Sequence, residues 1–179
     1  MLDVHRRIAI MGAPGGGKSA LIAALAQRGW KTVPEAARMI LQDPGGMELR
    51  DKDPIGFALA MLERDRATFA GVAAGETVIF DRGLCDIVAF LRLEGLNVPP
   101  EVDRACRDLR FDAPVLHAPA WRTIYRQDDE RIQTWEQAVE SDAANLKAWQ
   151  DFGYKPVTLP LVSLEERAEF VEQLLETAA

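Results

Sequence analysis

The sequence predicts a three-layer α/β domain, a five-stranded parallel sheet with helices on both faces. Three observations predict it. Short apolar runs alternate with helical segments along the whole chain. The first run, Arg7–Met11, is continuously apolar after its arginine, as in a strand buried on both faces. The segments between successive runs are long enough for crossover helices, and right-handed crossovers build a parallel sheet.

The elements follow in order. Arg7–Met11 is the first strand and Lys18–Arg28 the first helix. Trp30–Val33 is a second strand and Glu35–Gln42 a helix. Asp43–Asp53 contains Asp-Pro-Gly-Gly and reads as a loop. Pro54–Ala74 opens with proline and carries Ile55, Leu59, Leu62 and Phe69 at helical spacing, so it is a long helix. Thr77–Phe80 is the third strand, and helices follow at Leu84–Leu93 and Glu101–Leu109. Pro114–His117 is the fourth strand, Thr134–Phe152 a long helix, Pro156–Leu159 the fifth strand and Glu165–Glu176 the closing helix. The 179 residues suit one domain, with no linker or repeat.

Composition narrows the function. The net charge is −7, which opposes broad binding to nucleic acid or an anionic membrane. Cys85 and Cys106 stand outside any metal-ligand or redox spacing and read as reduced thiols. The start runs straight into a strand without a signal peptide, and no apolar run approaches a membrane span. The expectation is a cytoplasmic protein.

The strongest motif is Gly12-Ala13-Pro14-Gly15-Gly16-Gly17-Lys18-Ser19, a full match to G-x-x-x-x-G-K-[ST], with Ala20 next in the helix. It lies between an apolar strand and a helix, a context that opposes a chance glycine-rich turn. Glycines let successive backbone N–H groups point inward at phosphate oxygens, and the helix adds its positive N-terminal end. Lys18 can reach the β- and γ-phosphates of ATP, and the Ser19 hydroxyl can ligate Mg²⁺.

Asp81 ends the third strand, where a carboxylate can hold Mg²⁺. The competing reading is a helix cap. Arg82 follows it, where motor ATPases place a water-activating glutamate. A guanine-reading N-K-x-D element is absent, since the asparagines are Asn97 and Asn145. An Asp-Arg pair suits a kinase, with the guanidinium on substrate or transferring phosphate. Asp86, one turn further, can support the same site.

Glu35 follows the second strand, on the sheet edge where the glycine loop lies, and can accept the proton of an acceptor hydroxyl. Its competing reading is a charge that favours the helix N-terminus. Arg38 can meet an anionic acceptor or pair with Glu35. Between the fourth strand and the long helix, Arg122, Arg126 and Arg131 surround Asp128, Asp129 and Glu130. Such a segment, about 119–133, suits a lid that closes over ATP and excludes water. Trp121, Trp135 and Trp149 read as packing residues, and His117 as structural.

The series GAPGGGKS, PEAAR, FDRGLCD, WRTIYRQDDER and DFGYKPVTLP resembles the bacterial AAA-type ATPase and kinase-like domain family, related to the nicotinamide riboside kinase domain. The resemblance covers nearly the whole chain. It implies a P-loop NTPase fold with strand order 2-3-1-4-5, ATP and Mg²⁺ at Gly12–Ser19, Mg²⁺ or base chemistry at Asp81, and lid arginines at Arg126 and Arg131. GAPGGGKS also resembles adenylate kinases, but no nucleotide-monophosphate signature follows the second strand. The expectation is a phosphotransferase acting on a hydroxyl of a small metabolite such as a nucleoside. The alternatives are an ATPase or an ATP-dependent switch acting on a protein partner. The long helices leave a homodimer open, although no heptad seam requires one.

Overall fold

The structure is a computed structural model that describes residues 6–125 and 134–177. In chain order the elements are β1 (Arg6–Met11), α1 (Lys18–Gln27), β2 (Lys31–Val33), α2 (Ala36–Gln42), α3 (Gly46–Lys52), α4 (Pro54–Ala70) and β3 (Thr77–Asp81). Then come α5 (Leu84–Leu93), α6 (Pro100–Asp108), β4 (Leu116–His117), α7 (Trp135–Asp151), β5 (Val157–Thr158) and α8 (Leu164–Thr177). The five strands form one parallel sheet in the order β2-β3-β1-β4-β5.

Side chains alternate across each strand, so both sheet faces need cover. Ile8 and Ile10 of β1 and Ile79 of β3 pack with α1 and α8 on one face. Ala9 and Met11 of β1 with Val78 and Phe80 of β3 pack on the other, against α4, α5 and α7. Phe80, Phe111 and Trp149 anchor that second layer, with ring centroids 5.3 and 5.5 Å apart in turn. The first layer is closed by Arg28, which ties α1 to α8 through Glu165 and through Glu172 at 2.5 Å. Cys85 and Cys106 are buried free thiols. No helix among the described residues is long and apolar enough to cross a membrane.

The Asp43–Asp53 segment departs from its expected loop. Its second half is α3, because the turn residues end at Gly45, which takes φ 83 and leads into the helix. Glu48 in its first turn and Arg50 and Lys52 in its last match the helix dipole. The α4 helix stops at Ala70, and β4 and β5 omit Pro114 and Pro156, which lack the N–H a ladder needs.

The strand order reverses direction around β1. The chain leaves β1 for β2 beyond β3 on one side and later crosses from β3 to β4 on the other, which opens a crevice at the strands' carboxyl ends. Register sets what stands there. Ile10 pairs with Asp81, and Met11 pairs with His117, so Gly12, Arg82 and Ala118 emerge side by side.

Candidate functional site

The glycine loop lies in that crevice. Gly12 takes φ 127, and a Cβ there would stand 2.2 Å from the Ala118 carbonyl oxygen. Gly15 (φ 87) lies under the Tyr125 ring, and Gly17 (φ 76) caps α1. No acidic side chain occupies the first turn of α1, so its N-terminal end faces the loop unopposed. Lys18 is buried, and its ammonium donates to the carbonyls of Gly12 (2.8 Å) and Ala13 (2.7 Å). Burial, and then the Arg82 charge, bring its pKa down to about 8. Ser19 and Ala20 are exposed on the first turn of α1.

Arg82 organises the next layer. Its Nε lies 2.8 Å from Glu35 Oε1, and its Nη1 donates to the Gly12 carbonyl at 2.8 Å and faces Asp86 Oδ1 at 3.3 Å. It stands at φ 70, rare for a residue with a Cβ, so the surrounding contacts hold a strained backbone in place. Burial alone would raise Glu35, but the Arg82, Lys18 and Arg38 charges outweigh it and hold the carboxyl below its ordinary value. Burial raises both Asp81 and Asp86 above the usual carboxylate range.

The structure places both carboxylates next to helix starts. Glu35 is the N-cap residue of α2, where its charge also favours the helix end, although its side chain makes no capping hydrogen bond. At α5 the cap belongs to Asp86, which accepts from the Gly83 N–H at 3.0 Å and from Trp149 Nε1 at 3.0 Å. Asp81 is left with a buried Oδ1 that has no hydrogen-bond partner. An orphaned carboxylate oxygen beside a phosphate-type loop suits a cation that also takes ligands from elsewhere. Among the described residues no group of three His, Cys, Asp or Glu side chains could hold a metal ion unaided.

A cavity of about 600 Å³ opens beside these groups. Pro14, Glu35, Asp81 and Arg82 belong to its lining. Phe57, Met61 and Asp65 line it from α4, Phe90 from α5, and Ser141 and Asn145 from α7. The site therefore has two compartments, a phosphate-type cradle and a pocket, joined at Pro14 and Arg82. Arg38 is exposed and does not line the cavity; Glu35 pairs with Arg82. Arg126 and Arg131 lie outside the described residues. Arg122, just before them, sits over the Trp135 ring at 5.2 Å.

Three site residues escaped the sequence reading. Asp142 of α7 accepts from the Ala13 N–H (3.2 Å), the Ala120 N–H (3.2 Å) and His117 Nε2 (3.0 Å). Arg167 of α8 is buried under the loop and donates to the Gly16 carbonyl at 2.8 Å. Asp65 carries a pKa raised to about 7, by burial and then by the Asp86 and Glu35 charges. Of these only Asp65 had a sequence signal, since it falls two helical turns after Phe57 on the face that also presents Met61.

A family model described as an AAA domain matches residues 7–167. No curated protein sequence matches the chain. Among solved structures, deoxyadenosine kinase from M. mycoides with dCMP and dCDP bound superposes with a TM-score of 0.70 at 16% identity, covering 97% of this chain and 100% of that one. The same enzyme with dATP gives 0.64 at 17%, covering 95% and 99%. Thymidylate kinase from Candida albicans gives 0.69 at 14%, covering 97% and 92%. At these identities the likeness is one of fold.

Proposed function

The chain belongs to the AAA domain family, and from that premise we propose that it transfers the γ-phosphoryl group of ATP to a hydroxyl of a small metabolite of the nucleoside class. The observation that carries the reading is the junction of the two compartments. Glu35 is held 2.8 Å from Arg82 in the lining of a pocket that Pro14 of the glycine loop also lines. The nucleoside and nucleotide kinase neighbours support the same reading.

In this reading the loop amides from Ala13 to Ser19 and the Lys18 ammonium hold the β- and γ-phosphates. Lys18 exchanges its two carbonyl contacts for phosphate oxygens, and a nearby polyanion restores its full charge. Ser19 and Asp81 are the ligands for Mg²⁺, which supplies charge neutralisation on the transferring phosphate. Glu35 orients the acceptor hydroxyl and takes its proton as that oxygen bonds to phosphorus and the bond to the ADP oxygen breaks. Arg82 holds Glu35 and stands near the charge that spreads over the phosphoryl oxygens. Catalysis is then mainly positioning and electrostatics. Arg126 and Arg131 are proposed to close over the nucleotide from the segment near 119–133.

The test is ATP turnover with Mg²⁺, with and without pooled nucleosides and other small hydroxylated metabolites. A phosphorylated product that forms only with an acceptor supports the proposal. Acceptor-independent hydrolysis, or tight ATP binding without turnover, overturns it in favour of an ATPase or a switch. Lys18→Ala should abolish turnover, and Glu35→Gln should cripple transfer while sparing ATP binding.

A further inference from the structure

Arg167 stands in the first turn of α8 and is 1% exposed. Its Nη1 donates to the Gly16 carbonyl at 2.8 Å, and a Cβ on Gly17 would lie 2.8 Å from an Nη1 in that place. The guanidinium therefore lies directly against the Gly16–Gly17 peptide, where the loop turns into α1. The Trp121 ring covers it, with its centroid 5.7 Å from Arg167 Cζ.

Among the described residues no side chain balances this charge. Nε and Nη2 are buried without a hydrogen-bond partner. Burial lowers the pKa of the group, and no carboxylate stands near enough to hold it up. Lys18 and Arg82 differ, since Glu35, Asp81 and Asp86 all act on them. The acidic neighbours of Arg167 on α8 are committed elsewhere. Glu165 pairs with Arg28, and Glu166 accepts from the Ser163 N–H at 3.1 Å. The first turn of a helix is also the end where a cation is disfavoured. The first turn of α1, on the other side of the guanidinium, holds no acidic residue. A buried arginine without a counter-charge is costly. The packing of α8 does not require it, because Ala168, Val171 and Leu175 fill the layer against β1 and α1.

We infer that Arg167 is a positioning residue for the phosphate chain of the nucleotide, which supplies the opposite charge that no side chain supplies. It acts through the loop. A trans peptide is planar, with its C=O and N–H pointing opposite ways. A Gly16 carbonyl held toward Arg167 turns the Gly17 N–H to the other side, toward the phosphates. The guanidinium adds a fixed positive charge behind that amide, in a place where water does not screen it. The inference rests on the reading of Gly12–Ser19 as a phosphate cradle and is independent of the acceptor.

The experiment titrates ATP with Mg²⁺ into the full-length chain by calorimetry and melts each variant without nucleotide. Arg167→Met removes the charge and keeps much of the bulk. It should raise the Kd for ATP about tenfold, while the variant melts at or above the wild-type temperature because an unpaired buried charge is gone. Arg167→Lys keeps the charge and should recover part of the affinity. A merely structural role would lower melting temperature and affinity together. That result, an ATP affinity unmoved in Arg167→Met, or no recovery with lysine overturns the inference and leaves the phosphate reading of the loop standing. A wild-type chain that binds no ATP sinks that reading, and the inference with it.

Discussion

Asp142 Oδ1 lies 3.0 Å from His117 Nε2, and the same carboxylate accepts from the backbone amides of Ala13 and Ala120. A carboxylate only accepts, so His117 Nε2 carries the hydrogen, and its Nδ1 faces Thr158 Oγ1 at 3.2 Å. One side chain of α7 thus ties the glycine loop, the end of β4 and the start of the following segment together. Since α7 also presents Ser141 and Asn145 to the cavity, this contact links the cradle to the pocket wall.

Asp142→Ala is expected to strand two amides and a histidine N–H, each lost partner costing about 1–3 kcal/mol. Melting temperature should fall and KM for ATP should rise more than KM for the acceptor. Burial raises this carboxyl, but His117 and the two amides outweigh that and leave it below its ordinary value. A depressed pKa contributes stability that is present above the unfolded value and fades as pH falls through the folded one. The stability gap between wild type and Asp142→Asn should therefore shrink in acid, below about pH 4. A gap that stays constant from neutral pH down into acid contradicts the ionised contact.

Arg82 at φ 70 carries two separable effects, strain in the backbone and charge in the side chain. Arg82→Ala and Arg82→Gly both remove the guanidinium and leave Glu35 and Asp86 uncompensated. Only the glycine relieves the left-handed backbone, worth about 1 kcal/mol. The glycine variant should melt about 2–4 °C above the alanine variant, with both inactive. Equal melting temperatures would show that the turn is not strained.

Asp65 should make the fold less stable as pH rises. Its folded pKa is near 7, against an ordinary 3.8. Between those values the folded state holds more protons than the unfolded one, so stability falls with rising pH across that window. Asp65→Asn should flatten the decline and melt a few degrees above wild type at pH 8. Thermal scans of both proteins from pH 4 to 8 check the prediction, and parallel curves refute it.

Gly83 takes an extended backbone that any residue adopts, so its requirement is space alone. A Cβ there would stand 2.7 Å from the Phe111 ring and 3.2 Å from Trp149. Gly83→Ala should cost about 1–3 kcal/mol by overpacking, read from denaturant midpoints. Adding Phe111→Leu should restore part of it, unlike a backbone defect, which no change at Phe111 would repair.

Much of the fold was legible because its signals are local. The apolar run of β1, the glycine loop and the proline start of α4 each specify their own backbone. The α3 helix was not, because Asp-Pro-Gly-Gly announces a turn while the helix draws its support from Glu48–Lys52 and from packing on α2 and α4. Within the site, Glu35 and Asp81 declared themselves by their places at strand ends, and both line the cavity. For Asp81 the capping reading could be addressed only in three dimensions, where Asp86 holds the α5 cap.

By itself the sequence determined the strand–loop–helix that cradles an anion, the layering of the sheet and the carboxylates at its strand ends. These follow from periodicity and from residue types whose backbone preferences act within a few positions. The tertiary structure decided which partners those residues keep. Asp142 meets Ala13 across 129 positions and Arg167 meets Gly16 across 151. The charge balance of the pocket is likewise a sum over α3, α4, α5 and α7. Contacts of that separation depend on how crossover helices pack against the sheet, and no local preference encodes the distance at which two such side chains finally meet.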